Sequence, residues 1–215
     1  MDPYKKLRKS SNPPYWNRAR RHLLAEDPAL AMVIKKCGRG RLVPRNDGFF
    51  SLARSIVGQQ ISVKAAKSIW NKLEQKVGKI SPEHMIQQTA LELRECGVTR
   101  QKSVYLLDLA HHFTEGNLRN QNWADLNDSQ VKNLLTRVKG IGPWTAEMFL
   151  MFHLLRPDIL PVGDVGIQNA MKLHFNKNKQ MTPQEMISRA EPWRPWRSVA
   201  SWYLWRSLDP LPVDY

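Results

Sequence analysis

The sequence predicts an all-α protein, and three observations predict it. Short segments with helical apolar spacing follow one another from Asp47 to Ser207, several of them opened by a Ser, Thr, Asp or Pro suited to a helix start. No alternating apolar run with hairpin turns interrupts them, so strands are few or absent. Finally, Leu135-Thr136-Arg137-Val138-Lys139-Gly140-Ile141-Gly142-Pro143-Trp144 reads as a helix that stops at Gly140, turns, and restarts with Pro143 in its first turn. That is a helix-hairpin-helix.

The elements follow in order. Met1 to about Arg21 is polar and basic around a Pro13-Pro14 break and reads as a tail. Phe49 to Gly58 has helical spacing, Ser62 caps a helix from Val63 to about Val77, and Ser81-Pro82-Glu83 opens another. Thr89 precedes a helix ending at Gly97, and Thr99 opens one that runs to about Phe113. Asp128 or Ser129 starts the first hairpin helix, and Pro143 to about Leu154 forms the second. Asp164 caps Val165 to Phe175, Thr182-Pro183 starts another helix, and Pro195 to about Ser207 makes the last long one. There is no internal repeat and no low-complexity segment.

Composition narrows the class. With 215 residues, 42% of them hydrophobic, the chain is long enough for a substantial core, as one domain or as two lobes sharing a groove. The 33 Lys and Arg against 19 Asp and Glu leave a formal charge of +14, which points to a polyanion such as DNA or RNA. Through Arg45 there are 12 Lys and Arg against Asp2, Glu26 and Asp27, a local net of +9. Such a run is equally a solvated arm and a phosphate-contacting one. No stretch has the roughly 20 apolar residues of a membrane span, and Met1-Asp2-Pro3-Tyr4-Lys5-Lys6 lacks a secretory core. An intracellular protein without membrane contact is expected, in the cytoplasm or nucleoid of a prokaryote or the nucleus of a eukaryote. Cys37 and Cys96 are too few for a disulfide framework or a four-Cys metal site, and the six His are scattered without ligand spacing. No metal catalysis is expected.

The hairpin itself fits a phosphate. Gly140 and Gly142 lack a Cβ and let a backbone approach, while the helix from Pro143 offers unpaired N–H groups and its positive dipole end. Gly-Ile-Gly-Pro alone is as often a tight turn between core helices, and it is the charge that favours the phosphate. Twenty residues after Trp144 stands a single acid, Asp164, in Leu160-Pro161-Val162-Gly163-Asp164-Val165. A carboxylate there is placed to stabilise the oxocarbenium-like charge of a breaking glycosidic bond, or to orient water, and it is also an ordinary N-cap; the two roles are compatible. The rival Asp158, in Arg156-Pro157-Asp158, reads as a surface turn. Eight Trp, among them Trp144, Trp193, Trp196, Trp202 and Trp205, serve core packing first, but two suffice to stack a flipped cationic base.

Four segments in this order, Ile56-Val57-Gly58-Gln59-Gln60-Ile61-Ser62, Gly140-Ile141-Gly142-Pro143-Trp144-Thr145-Ala146, Pro161-Val162-Gly163-Asp164 and Pro195-Trp196-Arg197-Ser198, resemble the helix-hairpin-helix DNA glycosylase superfamily. Within it the chain is most similar to the 3-methyladenine DNA glycosylase II branch, over roughly Phe49 to Leu208. The resemblance implies a two-lobed helical bundle with a DNA-binding cleft between the lobes. It divides the chain into a basic N-terminal arm with the first helices (1–45), packing on the body, and a glycosylase body (46–215). The body's lobes fall at about 46–125 and 126–215, with the N-terminal residues available to the second lobe.

The resemblance also implies roles. Asp164 matches the catalytic aspartate; Trp144 and Trp205 match aromatic positions lining the base pocket, with Met148, Val165 and Trp202 at its edges. Gln59-Gln60 matches the turn that inserts a wedge, with Gln60 at the wedge position, where it serves equally as a helix-capping amide. Lys139, Gly140, Ile141, Gly142 and Thr145 would contact DNA phosphate. The carbonyls of Thr136, Val138 and Ile141 would hold a monovalent cation, Na+ or K+; no cofactor is required. Trp144 stands where strand-cutting members carry a nucleophilic Lys, so a lyase step lacks its amine. The expectation is a monomeric, monofunctional glycosylase excising alkylated purines of the 3-methyladenine and 7-methylguanine type from double-stranded DNA. The alternatives are a glycosylase for deaminated or oxidised bases and a non-catalytic helix-hairpin-helix binding module.

Overall fold

The computed structural model describes residues 13–40, 42 and 47–208, and among these residues all regular structure is helical. In chain order the helices are α1 (Trp16–Glu26), α2 (Pro28–Cys37), α3 (Gly48–Gly58), α4 (Val63–Val77), α5 (Pro82–Met85) and α6 (Ala90–Glu95). They continue with α7 (Arg100–Thr114), α8 (Asp128–Leu135), α9 (Pro143–Phe152), α10 (Val165–Phe175), α11 (Pro183–Arg189) and α12 (Arg197–Leu208). Short polar side chains start most of them. Ser62 accepts the Ala65 amide and Thr99 the Lys102 amide, while Thr89 and Thr182 form full capping boxes with Glu92 and Glu185. The first hairpin helix is capped by Asn127, in a capping box with Gln130, one residue before the expected start.

Three boundaries differ from expectation. The basic stretch read as a tail through Arg21 is already helical from Trp16, because Trp16, Ala19 and Leu23 repeat at helical spacing and are buried. Arg18, Arg20 and Arg21 occupy the positions between them, which hid the helix. Its last members aside, the basic arm of Lys5, Lys6, Arg8 and Lys9 lies outside the described residues, as do Arg41 and Arg45. α9 ends at Phe152 rather than Leu154, and α12 begins at Arg197 rather than Pro195.

The chain forms two compact units, one from the described residues of 1–46 and 150–213, the other from 47–149. The division falls at 149/150, within α9, rather than near 125, so α8, the hairpin and most of α9 cluster with residues 47–125. The physical reason is that the hairpin is packed on α7 and on the turn after α3, as described below. In the first unit α12 packs on α10 and α2, and α1 packs on α2. Trp16, Leu23, Leu30, Ile34, Met171, Trp193 and Tyr203 form its core, each at 2% exposure or less. Burial of such side chains stabilises by roughly 1.5–3 kcal/mol apiece before entropy is counted. Asp27 ties this unit together: it caps α2, accepts Trp193 Nε1 at 2.6 Å and pairs with Arg189 at 2.6 Å. Burial opposes its ionisation, but the bonds from Arg189, Trp193 and the Leu30 amide with the Arg189 charge outweigh this and hold the carboxyl below its usual range.

In the second unit α7 is the central helix, packed on α3, α5 and α6. Leu52, Ile56, Leu73, Met85, Leu93, Leu106 and Leu109 are fully buried there. Among the described residues no helix is long and apolar enough to cross a membrane.

Candidate active site

The hairpin joins α8 to α9 through residues 136–142, and its geometry rests on one glycine. Gly140 has φ +81, and a Cβ on it would lie 2.1 Å from the Tyr105 ring, so both backbone and packing demand glycine. Gly142 is different: it is exposed and a Cβ there would meet nothing within 4 Å. Val138 and Ile141 turn their side chains into the core, closed by an Ile141 amide to Val138 carbonyl bond of 3.1 Å. Thr145 is buried in the first turn of α9. Lys139 is tied twice to Asp108, its amide donating to Oδ2 at 2.8 Å and its ammonium lying 3.2 Å from Oδ1.

The turn after α3 lies against the hairpin. Gln59 Nε2 donates to the Gly140 carbonyl at 2.9 Å, which engages the Gln59 amide with the protein itself. Gln60 is exposed, in the left-handed region at φ 57. Lys102 Nζ donates to the carbonyls of Val57 at 2.8 Å and Gln59 at 2.6 Å, and burial lowers the pKa of its ammonium. Gln60, Ile61, Arg100, Lys102, Arg137 and Lys139 are among the residues lining a groove of about 920 Å³, whose lining includes four cations and no carboxylate.

Asp164 lies in the other unit, 8% exposed, at the N-cap of α10. Its Oδ1 accepts the Ile167 amide at 2.8 Å and Trp205 Nε1 at 2.7 Å. The Trp205 ring stacks on Phe152, with centroids 5.9 Å apart and planes 28° from parallel. Gly166 makes room for this pair, since a Cβ there would lie 2.9 Å from Trp205 Cδ1 and 3.0 Å from Asp164 Oδ1. Val165 is 67% exposed beside them.

Several predicted residues sit otherwise than expected. Trp202 turns its ring edge-on to Trp16 at 5.4 Å and to Tyr203 at 5.1 Å, a packing role that its helical spacing from Trp205 did not reveal. Asp158 is no plain surface turn; Arg194 and Arg197 both clamp it at 2.6 Å. Trp144 is half-buried in the first turn of α9 and Met148 is buried one turn on. Lys102, Tyr105, Asp108 and Gly166 were missed by sequence reasoning. The three-residue spacing of Lys102, Tyr105 and Asp108 on α7 was the available signal, but their partners lie tens of residues away.

An N-capping acid beside an indole, together with a glycine hairpin in a cationic groove, defines a class. The chain belongs to the HhH-GPD superfamily of base excision DNA repair proteins, whose family model matches residues 53–195. A DNA-3-methyladenine glycosylase of Bacillus subtilis is 30% identical over 194 residues, covering 85% of this chain and 64% of that protein's length. Among solved structures, a DNA-3-methyladenine glycosidase from Bacillus halodurans is 35% identical with a TM-score of 0.82, covering 93% of this chain and 91% of the other. The 3-methyladenine DNA glycosylase of Schizosaccharomyces pombe, solved in complex with abasic DNA, is 29% identical with a TM-score of 0.76, covering 88% of this chain and 95% of the other.

Proposed function

We propose that the protein is a monofunctional DNA glycosylase that flips alkylated purines out of double-stranded DNA and hydrolyses their N-glycosidic bond. The observation that carries this reading is Asp164: nearly buried, hydrogen-bonded by a helix amide and an indole, and carried by a chain whose relatives bear alkylation-glycosylase names. The open space above Gly142 and the cationic groove support the DNA grip. Gly142, Gly140, Ile141 and the amide of Thr145 contact phosphate, with Lys139 near Asp108 adding charge.

Gln60 is the wedge, because it is exposed while the Gln59 amide is held on Gly140. Its side chain fills the gap left by the flipped nucleotide. Within its own unit the indole of Trp205 stacks on the base and Val165 limits its size, while base-pocket roles for Trp144 and Met148 follow from the family resemblance alone. Asp164 stabilises the sugar cation as the bond lengthens, and water then attacks C1′. A base already positively charged leaves without strong protonation, so one carboxylate suffices. Thr136 caps the C-terminal, electronegative end of α8, and its carbonyl, with those of Val138 and Ile141 in the loop that follows, would supply the oxygen donors for Na+ or K+. The protein acts as a monomer inside the cell.

Methylated duplex DNA incubated with the protein and with Asp164→Asn tests the reading. Release of 3-methyladenine and 7-methylguanine by the native chain alone is expected, with DNA binding retained by the variant. Release by both removes Asp164 from the mechanism. No release by either, with binding intact, turns the reading to other lesions or to a binding module.

A further inference from the structure

We propose that Lys102 is a positioning residue for the wedge: its ammonium fixes the turn that presents Gln60, and α7 couples that turn to the hairpin. The inference rests on the glycosylase reading above and goes beyond it by naming what holds the wedge in place.

Lys102 Nζ reaches two carbonyls across the end of α3, Val57 at 2.8 Å and Gln59 at 2.6 Å. These belong to the electronegative C-terminal end of a helix, where a cation both satisfies orphaned acceptors and opposes the dipole. Between the second carbonyl and the start of α4 stands Gln60, at φ 57, a conformation that a side chain other than glycine adopts at a cost and keeps only where its surroundings impose it. The imposing contacts come from both sides of the turn. Lys102 holds the carbonyl just before Gln60, and Gln59 Nε2 is anchored on the Gly140 carbonyl.

The same helix holds the hairpin. One turn after Lys102, the Tyr105 ring lies against Gly140, and one turn further Asp108 accepts the Lys139 amide at 2.8 Å. Lys102, Tyr105 and Asp108 are thus a strip on α7 that sets the wedge turn at a fixed place relative to the phosphate-gripping loop. Inserting a side chain into a base stack at a distance fixed by the backbone grip requires such a strut, since displacement by an ångström can lower a rate by about a hundredfold.

Single-turnover excision of 7-methylguanine by the native protein, Lys102→Met, Gln60→Ala and the double variant tests the proposal, on fully paired duplex and on a duplex with the lesion in an unpaired bulge. Lys102→Met is expected to slow excision about tenfold from paired duplex but at most about threefold from the bulge, where little unstacking is needed. The double variant should be no slower than Gln60→Ala alone, because a wedge that is absent needs no positioning. Lys102→Arg should restore most of the paired-duplex rate. Losses that multiply in the double variant, or that are equal on both substrates, overturn the proposal. Should Lys102→Met fail to fold, Lys102→Gln, which is uncharged and shorter and so loses the ammonium's hold on the two carbonyls, carries the same comparison. A native protein that releases no 7-methylguanine would count against the alkylation-glycosylase reading instead. In that event 2-aminopurine opposite an abasic site reads wedge insertion directly, and an unchanged fluorescence rise in Lys102→Met overturns the proposal on its own.

Discussion

Trp205 donates its indole N–H to Oδ1 of Asp164 at 2.7 Å, the oxygen that also accepts the Ile167 amide at 2.8 Å. Two donors from two helices therefore fix the rotamer of the proposed catalytic carboxylate. Trp205→Phe keeps an aromatic ring against Phe152 but removes one donor. A hydrogen bond to a charged group contributes about 1.5–3 kcal/mol, so a roughly 10- to 100-fold fall in the single-turnover excision rate is expected. An unchanged rate would show that the indole N–H is not needed to orient Asp164.

Gly166 gives a second handle on the same pair. A methyl there would press on Trp205 Cδ1 and on Asp164 Oδ1, at 2.9 and 3.0 Å, while alanine itself suits a helical position. Gly166→Ala should lower activity while leaving helix content by circular dichroism intact. Full activity would mean that the indole moves aside without disturbing the carboxylate.

The two hairpin glycines should separate folding from binding. Gly140→Ala meets both the Tyr105 ring and a positive φ, so a loss of about 1–3 kcal/mol in urea denaturation is expected. Gly142→Ala meets nothing within 4 Å, so stability should change by no more than about 0.5 kcal/mol. Its affinity for duplex DNA should nonetheless fall, because the methyl stands where a phosphate backbone would approach. Equal affinity of Gly142→Ala and the native protein would count against that approach.

Salt should weaken binding steeply. The chain's net +14 and the cation-lined groove predict a linear fall of log affinity with log salt, by about 0.9 per phosphate neutralised. Fluorescence anisotropy with a duplex from low to physiological salt reads the slope, and a flat response excludes a backbone grip.

Acid stability should pass through Asp27. Its carboxyl titrates below its ordinary value of 3.8 in the folded protein, so its contribution is fully present above that value and is lost as pH falls below it. Asp27→Asn should flatten this part of the stability profile. Asp27→Ala at neutral pH should cost roughly 3 kcal/mol, the low end for breaking a buried pair, since Arg189 keeps partial access to water. A variant with an unaltered acid limb would assign it elsewhere.

Much of the molecule was legible in the sequence because the signals were local. The α4 and α10 limits follow from Ser62 and Asp164 as caps, and the hairpin from Gly140 and Pro143, since capping and backbone freedom involve neighbours three or four residues apart. Asp164 was legible for the same reason. The family followed from four short segments in order. The start of α1 was lost where arginines alternate with Trp16, Ala19 and Leu23, since charge density masked periodicity.

The sequence by itself thus determined the helices from α3 onward, the hairpin, the candidate acid and the polyanion partner, all of which depend on residue type at short range. Only the tertiary structure decided which of two glutamines stays exposed, that Trp202 packs on Trp16, and that Lys102 closes the end of α3. It also decided that Trp205, 41 residues beyond Asp164, supplies the second donor. These pairings join residues tens of positions apart, and their geometry is set by how helices pack, which no local pattern encodes.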